Sequence, residues 1–535
     1  MKNILLFTLL SLSIISQGFS QTEDVSSYEE KLLNWQNKDI SGRIMGTNTY
    51  KAYNELLNGK TPKKKIIVAV IDAGIDITHE DLKANIWVNT DEIPDNGIDD
   101  DKNGYIDDIN GWNFLGNAEG ENIDRAPLEK TRIYRKLRDK YRSVDESEVA
   151  DSDKAEFKLY LKLKKEITTE LRSVNKQFEG IKGLHKTIHG MYDKLSRLSG
   201  QKITTSEELK NYETQSDEEK KIKRTINLYA SLGLSIDEID EYYDYLSSQK
   251  EAHLKTSFFP RSDIIGDNVN DINDKNYGNS NVTGPDAFHG TFCAGIIGAK
   301  QNNKLGINGI ANNVLLMSLR AVPNGDEYDK DVALAIRYAT DNGAQVINMS
   351  FGKDYTANKK MVDDAMLYAE SKGVLLVHAA GNDSKNIDTT SNYPTDVLLN
   401  GSKVNNLICV GASTISTKKK LPADFSNYGN ENVDLFAPGL DVVSTTVESE
   451  YEISQGTSFA APVVSGVAAL VWSYYPDLTA VQIKEILIKS ATNMGKKKVI
   501  IPGTRKKKTR FRELCVSDGV VNTYNALLLA EEMSK

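Results

Sequence analysis

The stretch GTSFAAPVVSGVAAL, residues 456–470, places one serine, Ser458, where a turn gives way to a helix crowded with small residues. The first N–H groups of a helix have no intrahelical partners, and they carry the positive end of the helix dipole. An oxyanion that forms beside the Ser458 hydroxyl would therefore be stabilised. Because a serine at a helix start is most often only a cap, Ser458 needs a nearby base before it can act as a nucleophile.

Two upstream segments supply candidate partners for this serine. In HGTFCAG, residues 289–295, His289 precedes a run of apolar residues that predicts a helix. In IIVAVIDAGID, residues 66–76, six apolar residues predict a buried parallel strand that ends at Asp72. Functional groups gather at the carboxyl ends of strands in open α/β sheets, so we expect Asp72, His289 and Ser458 to meet there.

These segments resemble the signatures of the subtilisin-like serine protease family, the subtilases. The matching motifs are D-A-G around Asp72, H-G-T at His289 and G-T-S-x-A-x-P around Ser458. A fourth segment, GVLLVHAAGN at residues 373–382, ends at Asn382, which matches the side-chain oxyanion donor of that family.

The resemblance implies a fold and a reaction. The fold is α/β with three layers, in which helices flank a central, mostly parallel sheet. The reaction is endopeptide hydrolysis through an acyl-enzyme, with Ser458 as nucleophile, His289 as general base and Asp72 as its orienting acid. Asn382 and the Ser458 backbone N–H would hold the oxyanion.

The resemblance also assigns the substrate cleft. INMSFG, residues 347–352, resembles the strand that lines the substrate cleft of that family. The residues expected to contact a peptide substrate are Ser350, Phe351, Gly352, Ala380 and Gly381.

Several positions depart from the family pattern. Ala73 stands where Ser or Thr is usual, which removes a hydroxyl beside Asp72. Phe292 and Cys293 follow H-G-T, and a thiol near the histidine resembles the thiol-sensitive branch of the family. Asp383, directly after the oxyanion asparagine, predicts a preference for a basic side chain in the primary pocket.

Two other functions stay open at this point. One is a binding or partner protein with the subtilase fold and a silent or covered cleft. The other is a serine hydrolase that acts on esters through the same acyl-enzyme.

A calcium site is predicted in DNGIDDDKNGYIDDING, residues 95–111. Its oxygen-bearing residues follow the register of an EF-hand loop around a glycine, although position 12 is Asn110 in place of glutamate. A solvated turn is the alternative. The expected ligands of this structural calcium are Asp99, Asp101, Asn103, Tyr105 and Asp107.

Two other clusters are predicted to hold no ion. His185 and His189 are spaced i, i+4 on a predicted helix, but the H-E-x-x-H pattern is missing and the sequence offers no third ligand. The second cluster, Asp267, Asp271 and Asp274, has no ligand register and is interpreted as an ordinary loop.

Composition and the N-terminus bear on partners and location. The net charge of −9 argues against a nucleic-acid partner. The resemblance to subtilases implies protein or peptide substrates. Lys2 precedes an apolar stretch, residues 4–15, that is too short to span a bilayer, and a small-x-small site follows at residues 18–20. We therefore predict a signal peptide over residues 1–20, a secreted or periplasmic protein, and no membrane span. Of the three cysteines, Cys293 and Cys409 are expected to be free core thiols.

The spacing of the motifs predicts the domains. Asp72 and His289 are 217 residues apart, far more than the few tens usual in the family. Residues 122–254 are predicted to form a helical insertion of three to five helices, with a long one over 153–198 and capping boxes at Thr205 and Ser235. This insertion would gate the cleft, bind a partner, assist folding, or serve only as a solvated addition. The catalytic domain would comprise residues 61–121 and 255–535, with residues 21–60 as an arm or short pro-segment.

Overall fold

The computed structural model describes residues 32–535, so the expected signal peptide and the first part of the expected arm lie outside the described residues. The described chain divides into two compact units. A helical unit comprises residues 125–259, and an α/β unit comprises residues 32–124 and 260–535.

The α/β unit is built on a nine-stranded sheet with two small antiparallel hairpins. The strands, in chain order, are β1 (Ile66–Asp72), β2 (Gly111–Asn113), β3 (Val314–Arg320), β4 (Val346–Met349), β5 (Leu375–Ala379), β6 (Leu407–Ser413), β7 (Leu435–Pro438), β8 (Val442–Thr445), β9 (Tyr451–Ser454), β10 (Thr492–Asn493), β11 (Lys498–Ile500), β12 (Lys508–Arg510) and β13 (Gly519–Val520). The order across the large sheet is β10-β13-β7-β6-β5-β4-β1-β3-β2, and every neighbouring pair is parallel except β10 with β13.

The α-helices of the two units are numbered together along the chain. In chain order they are α1 (Glu129–Tyr141), α2 (Lys154–Ser199), α3 (Ser206–Asn211), α4 (Asp217–Ala230), α5 (Ile236–Ser248), α6 (Pro260–Ile264), α7 (Phe288–Gly298), α8 (Asp329–Asp341), α9 (Lys359–Ser371), α10 (Thr457–Tyr474), α11 (Ala480–Lys489) and α12 (Thr523–Met533). A single turn at Thr49–Lys51 precedes them.

The sheet separates two apolar clusters, which gives the three layers. Successive side chains of a strand point to opposite faces, so Val68 and Val70 of β1 join the cluster that contains α7 and α10, while Ala69 and Ile71 join the cluster that contains α8 and α9. Burial on both faces explains why β1 reads as one continuous apolar run. The predicted α/β fold, with helices on both faces of a mostly parallel sheet, is confirmed.

Strand order places a crevice at the end of β1. This strand pairs with β3 on one side and with β4 on the other. The chain therefore first adds strands on one side of β1 and then continues the sheet on its other side. Such a switch point opens a crevice at the carboxyl ends of the strands. Asp72 is the last residue of β1 and lies at this edge.

Helix α10 crosses the middle of one layer and is almost entirely buried. It is the one helix in residues 32–535 long and apolar enough to cross a bilayer, a test that the core helix of a globular protein also passes. Small residues let it approach its neighbours, since a methyl group on Gly466 would lie 2.6 Å from the Cβ of Ile310.

The helical unit contains five helices, α1 to α5, with α2 as its 46-residue spine. Apolar positions along one side of α2, including Ile181, Ile188 and Leu195, pack in a cluster with residues of α5. The predicted capping boxes at Thr205 and Ser235 are confirmed, and a third begins α4. Each box satisfies backbone donors that a helix start leaves open.

The prediction that His185 and His189 lack a third partner is wrong. Both imidazoles lie against the carboxylate of Asp240 on α5, at Nε2–Oδ1 distances of 3.3 and 2.6 Å. The sequence could not indicate this because Asp240 lies 51 residues beyond His189 and reaches it only through the packing of two helices.

Candidate active site

The carboxylate and the imidazole form a direct pair. Nδ1 of His289 donates to Oδ1 of Asp72 at 2.7 Å, and the same oxygen accepts the Ala73 N–H at 2.8 Å. His289 is the second residue of α7. This helix start comes close to the end of β1 because Gly290 has no side chain: a methyl group there would lie 2.2 Å from the carbonyl oxygen of Gly74.

The two oxygens of the Asp72 carboxylate have different surroundings. The second oxygen of Asp72, Oδ2, is buried and has no hydrogen-bond partner among residues 32–535. Among the described residues, the Asp72 carboxylate therefore accepts its hydrogen bonds through Oδ1, from the imidazole and from one backbone amide.

The electrostatics suit a base. Desolvation alone would lower the pKa of His289, but the charge of Asp72 and its hydrogen bond, with a smaller contribution from Asp286, outweigh this effect and raise that pKa above its ordinary value. With Nδ1 held by Asp72, the basic lone pair of the neutral ring lies on Nε2.

The Ser458 hydroxyl and the Asn382 amide come from two further segments, the start of α10 and the loop after β5. Ser458 is the second residue of α10. The side-chain oxygen of Asn382 accepts both the N–H and the hydroxyl of Thr457, each at 2.9 Å, which fixes the amide and leaves its Nδ2 as a donor. A methyl group built on Gly456 would lie 3.5 Å from Asn382 Nδ2 and 3.6 Å from the Ser458 nitrogen. Glycine at this position therefore keeps open a space that both donors border.

Cys293 links the two halves of the site. Its thiol donates to the carbonyl of Ser458 at 3.4 Å, and its sulfur lies within 4.8 Å of ligand atoms of both Asp72 and His289. The Phe459 ring is 5.4 Å from the imidazole. Burial, then the charge of Asp72, raises the pKa of the Cys293 thiol well above its usual value, so the group stays protonated. All three cysteines are free thiols, as predicted for Cys293 and Cys409.

A buried relay holds the nucleophile helix to the end of β4. Ser465 on α10 donates to Asn348, Asn348 donates to the Ser350 hydroxyl, and Ser350 donates to the carbonyl of Ser458 at 2.7 Å. The side chain of Ser350, expected to contact substrate, is thus engaged within the protein. Sequence reasoning missed Asn348 and Ser465, which carry no motif of their own and meet only through tertiary packing.

The other expected cleft residues are fixed mainly through their backbone. The carbonyl of Phe351 lies 2.8 Å from Nε2 of His378, and Gly381 N–H donates to the Thr457 hydroxyl at 3.0 Å. Ala380 presents its carbonyl to the amide of Asn427 at 2.8 Å. A methyl group on Gly352 would lie 3.2 Å from the carbonyl of Tyr393, so bulk there would press on the adjoining loop.

His378 is a buried core histidine, as predicted. Desolvation lowers its pKa to about 4, and the hydrogen bond to the Phe351 carbonyl only partly opposes that effect. The ring is therefore neutral at ordinary pH and supports the wall of the cleft.

The charge at Asp383 is shared with its neighbours. Lys385 lies 3.5 Å from Asp383 and 2.8 Å from Asp354. Two carboxylates thus surround one ammonium group at this exposed position, so the three groups together carry the same net negative charge as Asp383 alone would.

The predicted calcium loop contains a compact cluster of carboxylates. This cluster includes one residue that the sequence did not predict, Glu92, and it lacks one predicted ligand, Asp107. Glu92, buried and upstream of the motif, places a carboxylate oxygen within 4.8 Å of those of Asp99 and Asp101. Asp107, in contrast, accepts the backbone N–H groups of Asn96 and Gly97.

The remaining predicted ligands lie in the same turn. Asn103 donates its amide to Asp101 and Asp108, and the Tyr105 ring packs in an apolar cluster, which leaves only its carbonyl as a possible ligand. Burial, together with the charges of Asp108 and Asp101, raises the pKa of Glu92. A concentration of carboxylate oxygens around one buried glutamate fits a hard cation.

Among the acidic residues that we interpreted as part of an ordinary loop, Asp267 forms a network of ion pairs. Asp267 is 2% exposed and forms ion pairs with Arg261 at 2.7 Å and Lys330 at 2.6 Å. Arg261 also pairs with Asp331, which accepts the Tyr277 hydroxyl as well. The sequence carries no sign of this network because each charge is satisfied by a partner from another segment.

Comparison with known proteins shows which proteins this chain is similar to. The chain is 38% identical over 240 residues to the thermophilic serine proteinase of Bacillus sp. (strain AK1), a match that covers 45% of this chain and 52% of that protein. It is 39% identical over 211 residues to subtilisin DY of Bacillus licheniformis, covering 39% of this chain and 71% of that protein. The solved structure of the prenylagaramide maturation protease PagA is 28% identical, with a TM-score of 0.37, over 45% of this chain and 82% of that one.

The matches span about half the length of most of the curated relatives, including 52% of the first. The sequence also matches the subtilase family, Peptidase_S8, over residues 63–507. This range covers most of the chain and includes all four motif segments. The protein is therefore a member of the subtilase family.

Proposed function

We propose that this chain is a secreted serine endopeptidase that uses Asp72, His289, Ser458 and Asn382. The observation that carries the proposal is the 2.7 Å pair of Asp72 and His289 at the end of β1, with the thiol of Cys293 beside both and bonded to the carbonyl of Ser458. In support, Asn382 Nδ2 and the Ser458 N–H border the space beside Gly456. Nucleophile, base, orienting acid and oxyanion donors are the complete set that acyl transfer needs.

The first half of the reaction forms an acyl-enzyme. The Ser458 hydroxyl attacks the scissile carbonyl while Nε2 of His289 takes its proton. The carbonyl oxygen becomes an oxyanion in the space beside Gly456, where Asn382 Nδ2 and the Ser458 N–H donate to it. The imidazolium then gives its proton to the leaving amine, and the peptide C–N bond breaks.

The second half releases the product. Water attacks the acyl carbonyl, His289 takes one of its protons, and the same oxyanion donors serve again. The proton then passes from the imidazolium to Ser458 as the ester bond breaks. Throughout, Asp72 holds the ring in one orientation and stabilises its charged form, which is why the pKa of His289 lies above its ordinary value.

Cleavage of a denatured protein tests this function. We expect wild type to produce fragments, Ser458→Ala to produce none, and Ser371→Ala, which changes an exposed serine at the end of α9, to match wild type. A short ester substrate assayed in parallel separates the alternatives. Ester turnover without fragments would favour an esterase, and no turnover of either substrate would favour a silent cleft.

Export is part of the proposal. It rests on the signal-like composition of residues 1–20. We expect protein recovered outside the cytoplasm to begin near residue 21 or further along the chain, as N-terminal sequencing would show. Recovery from the cytoplasm with the first 20 residues intact would contradict it.

We also propose a structural calcium ion at the acidic loop. Carboxylates of Glu92, Asp99 and Asp101, with oxygens of Asn103 and Tyr105, would hold it, and Glu92 would supply the acidic ligand missing at position 12. The ion would neutralise buried like charges and thereby stabilise the loop.

Thermal unfolding tests the calcium proposal. Chelator should lower the unfolding midpoint of wild type, and added Ca²⁺ should restore it. Glu92→Gln should reduce this response, whereas Glu119→Gln, a change at an exposed glutamate further along the chain, should leave it intact. A midpoint that does not respond to chelator or Ca²⁺ would contradict the proposal.

A further inference from the structure

Two imidazoles and one carboxylate converge on the surface of the helical unit. His185 and His189 lie one turn apart on α2, with ring centroids 4.2 Å apart. Their Nε2 atoms are 3.3 and 2.6 Å from the same oxygen of Asp240 on α5. Histidines at i and i+4 share one face of a helix, so both rings can be directed to a single point.

The three donor atoms are already spaced almost as ligands of one ion. They lie within 4.8 Å of one another. Zinc binds histidine nitrogen at about 2.0–2.1 Å and carboxylate oxygen at about 2.0–2.2 Å, which places tetrahedral ligands roughly 3.4 Å apart. The 3.3 Å separation fits this value. The 2.6 Å separation needs to open by less than about 1 Å, which rotation of partly exposed side chains can supply.

The chemistry of the set also fits. Two neutral imidazoles and one carboxylate are typical zinc ligands, and three protein ligands leave a fourth position for water. The side chains of His185, His189 and Asp240 are 29%, 38% and 39% exposed, so an ion and its water have access. A simple histidine–aspartate pair would need only one ring, whereas here a second ring lies 4.2 Å from the first, centroid to centroid, and faces the same carboxylate oxygen.

The two helices that carry the cluster are held together by buried apolar side chains. Ile188 on α2 and Ile239 on α5, each next to a ligand in sequence, are at most 1% exposed and belong to the same apolar cluster. The Tyr243 ring stacks on His185 at 4.2 Å, which restricts that imidazole. Ligands on two packed helices are held more precisely than ligands on loops.

We propose that His185, His189 and Asp240 form a site for a transition-metal dication such as Zn²⁺, which joins α2 to α5. The metal replaces the hydrogen bond of His189 and the 3.3 Å contact of His185 at the Asp240 oxygen with bonds to all three groups. Its role is to stabilise the helical unit, and it takes no part in peptide hydrolysis.

Binding of Zn²⁺ to the purified full chain tests the site, after chelator treatment and with excess Ca²⁺ present to occupy oxygen-rich sites. We expect one zinc ion per chain. His189→Ala and Asp240→Asn should each weaken binding by more than about 100-fold, since even changes to outer partners of a metal cost about 10–100-fold. The matched control is Glu179→Gln, an exposed carboxylate on another face of α2, and it should bind as wild type does.

A second measurement uses wild type alone. Co²⁺ should give the visible bands of a tetrahedral nitrogen and oxygen site without the thiolate charge-transfer band that binding at Cys293 would produce. Far-UV circular dichroism of the metal-free variants checks that they are folded. No zinc uptake by wild type, uptake unchanged in folded His189→Ala, or a cobalt thiolate band as the only signal would each overturn the proposal. None of these readouts depends on peptidase activity.

Discussion

The α/β unit and the helical unit of this chain organise their polar groups in opposite ways. In the α/β unit, charged and hydrogen-bonding groups are buried and meet across long distances in sequence, as Asp72 and His289 do across 217 residues. In the helical unit, most polar contacts are local and exposed, such as capping boxes and ion pairs between helix surfaces. We infer that single substitutions in the first unit will have large effects and that the second will tolerate them.

The largest expected effect is in catalysis. Asp72→Asn should reduce kcat by about 10⁴-fold, because the amide favours the wrong tautomer of His289 and cannot stabilise its charged form.

Activity needs neutral His289, so the acidic limb of kcat/KM in wild type should lie above about pH 6.5 and move to lower pH in the variant. Steady-state kinetics across pH measure both. Asp244→Asn, at an exposed position of α5, is the control in the helical unit, and equal losses in the two variants would break the comparison.

The next effect is on folding of the α/β unit. Arg261→Ala should cost about 3–5 kcal/mol of unfolding free energy, because it leaves the buried carboxylate of Asp331 without its cation. Urea unfolding followed by tryptophan fluorescence reports this unit alone, since all four tryptophans lie in it, at positions 35, 87, 112 and 472. A loss below about 1 kcal/mol, the range of a surface pair, would show that the network is not buried in solution.

Removing an oxyanion donor should have a slightly smaller effect. Asn382→Ala should lower kcat by about 10²–10³-fold, the range found when subtilisin loses its side-chain donor, with little change in KM. The donor acts on charge that exists only in the transition state, so ground-state binding is spared. A rise in KM with kcat preserved would instead place Asn382 in substrate binding.

Acid stability gives a further test of buried groups. His378 has a pKa of about 4 in the folded protein against about 6.5 unfolded, so the unfolded chain takes up a proton first as pH falls. Its contribution is present above about pH 6.5 and is lost progressively toward pH 4, amounting to about 2 kcal/mol between pH 7 and pH 5. His378→Gln should lose this part of the pH dependence in urea unfolding, and an unchanged slope would contradict the buried neutral state.

The smallest effect is expected in the helical unit. Lys194 pairs with Glu218 between α2 and α4, and both side chains are about half exposed. Lys194→Ala should change stability by less than about 1 kcal/mol, as followed by far-UV circular dichroism, and leave peptidase activity unaltered. A loss as large as that of Arg261→Ala would remove the contrast between the units.

The same contrast explains what the sequence could predict. The motifs around Asp72, His289, Asn382 and Ser458 indicated where strands end and helices begin, because buried strands and helix starts leave local patterns in composition. Capping boxes and apolar periodicity likewise predicted the helices of the insertion. Asp240 was missed, as was the bond of Asn348 to Ser465, since these partners meet only when separate segments pack and no local pattern encodes that pairing. Glu92 was missed because it lies upstream of the loop motif.

The most direct test of the central claim is a crystal structure of the protein labelled with a serine-directed phosphonate. We predict phosphorus bonded to the Ser458 oxygen, one phosphonyl oxygen within hydrogen-bond distance of Asn382 Nδ2 and the Ser458 N–H, and Nε2 of His289 facing the Ser458 oxygen. Label on another residue, or an imidazole turned away from Ser458, would contradict the assignment of this site to peptide hydrolysis.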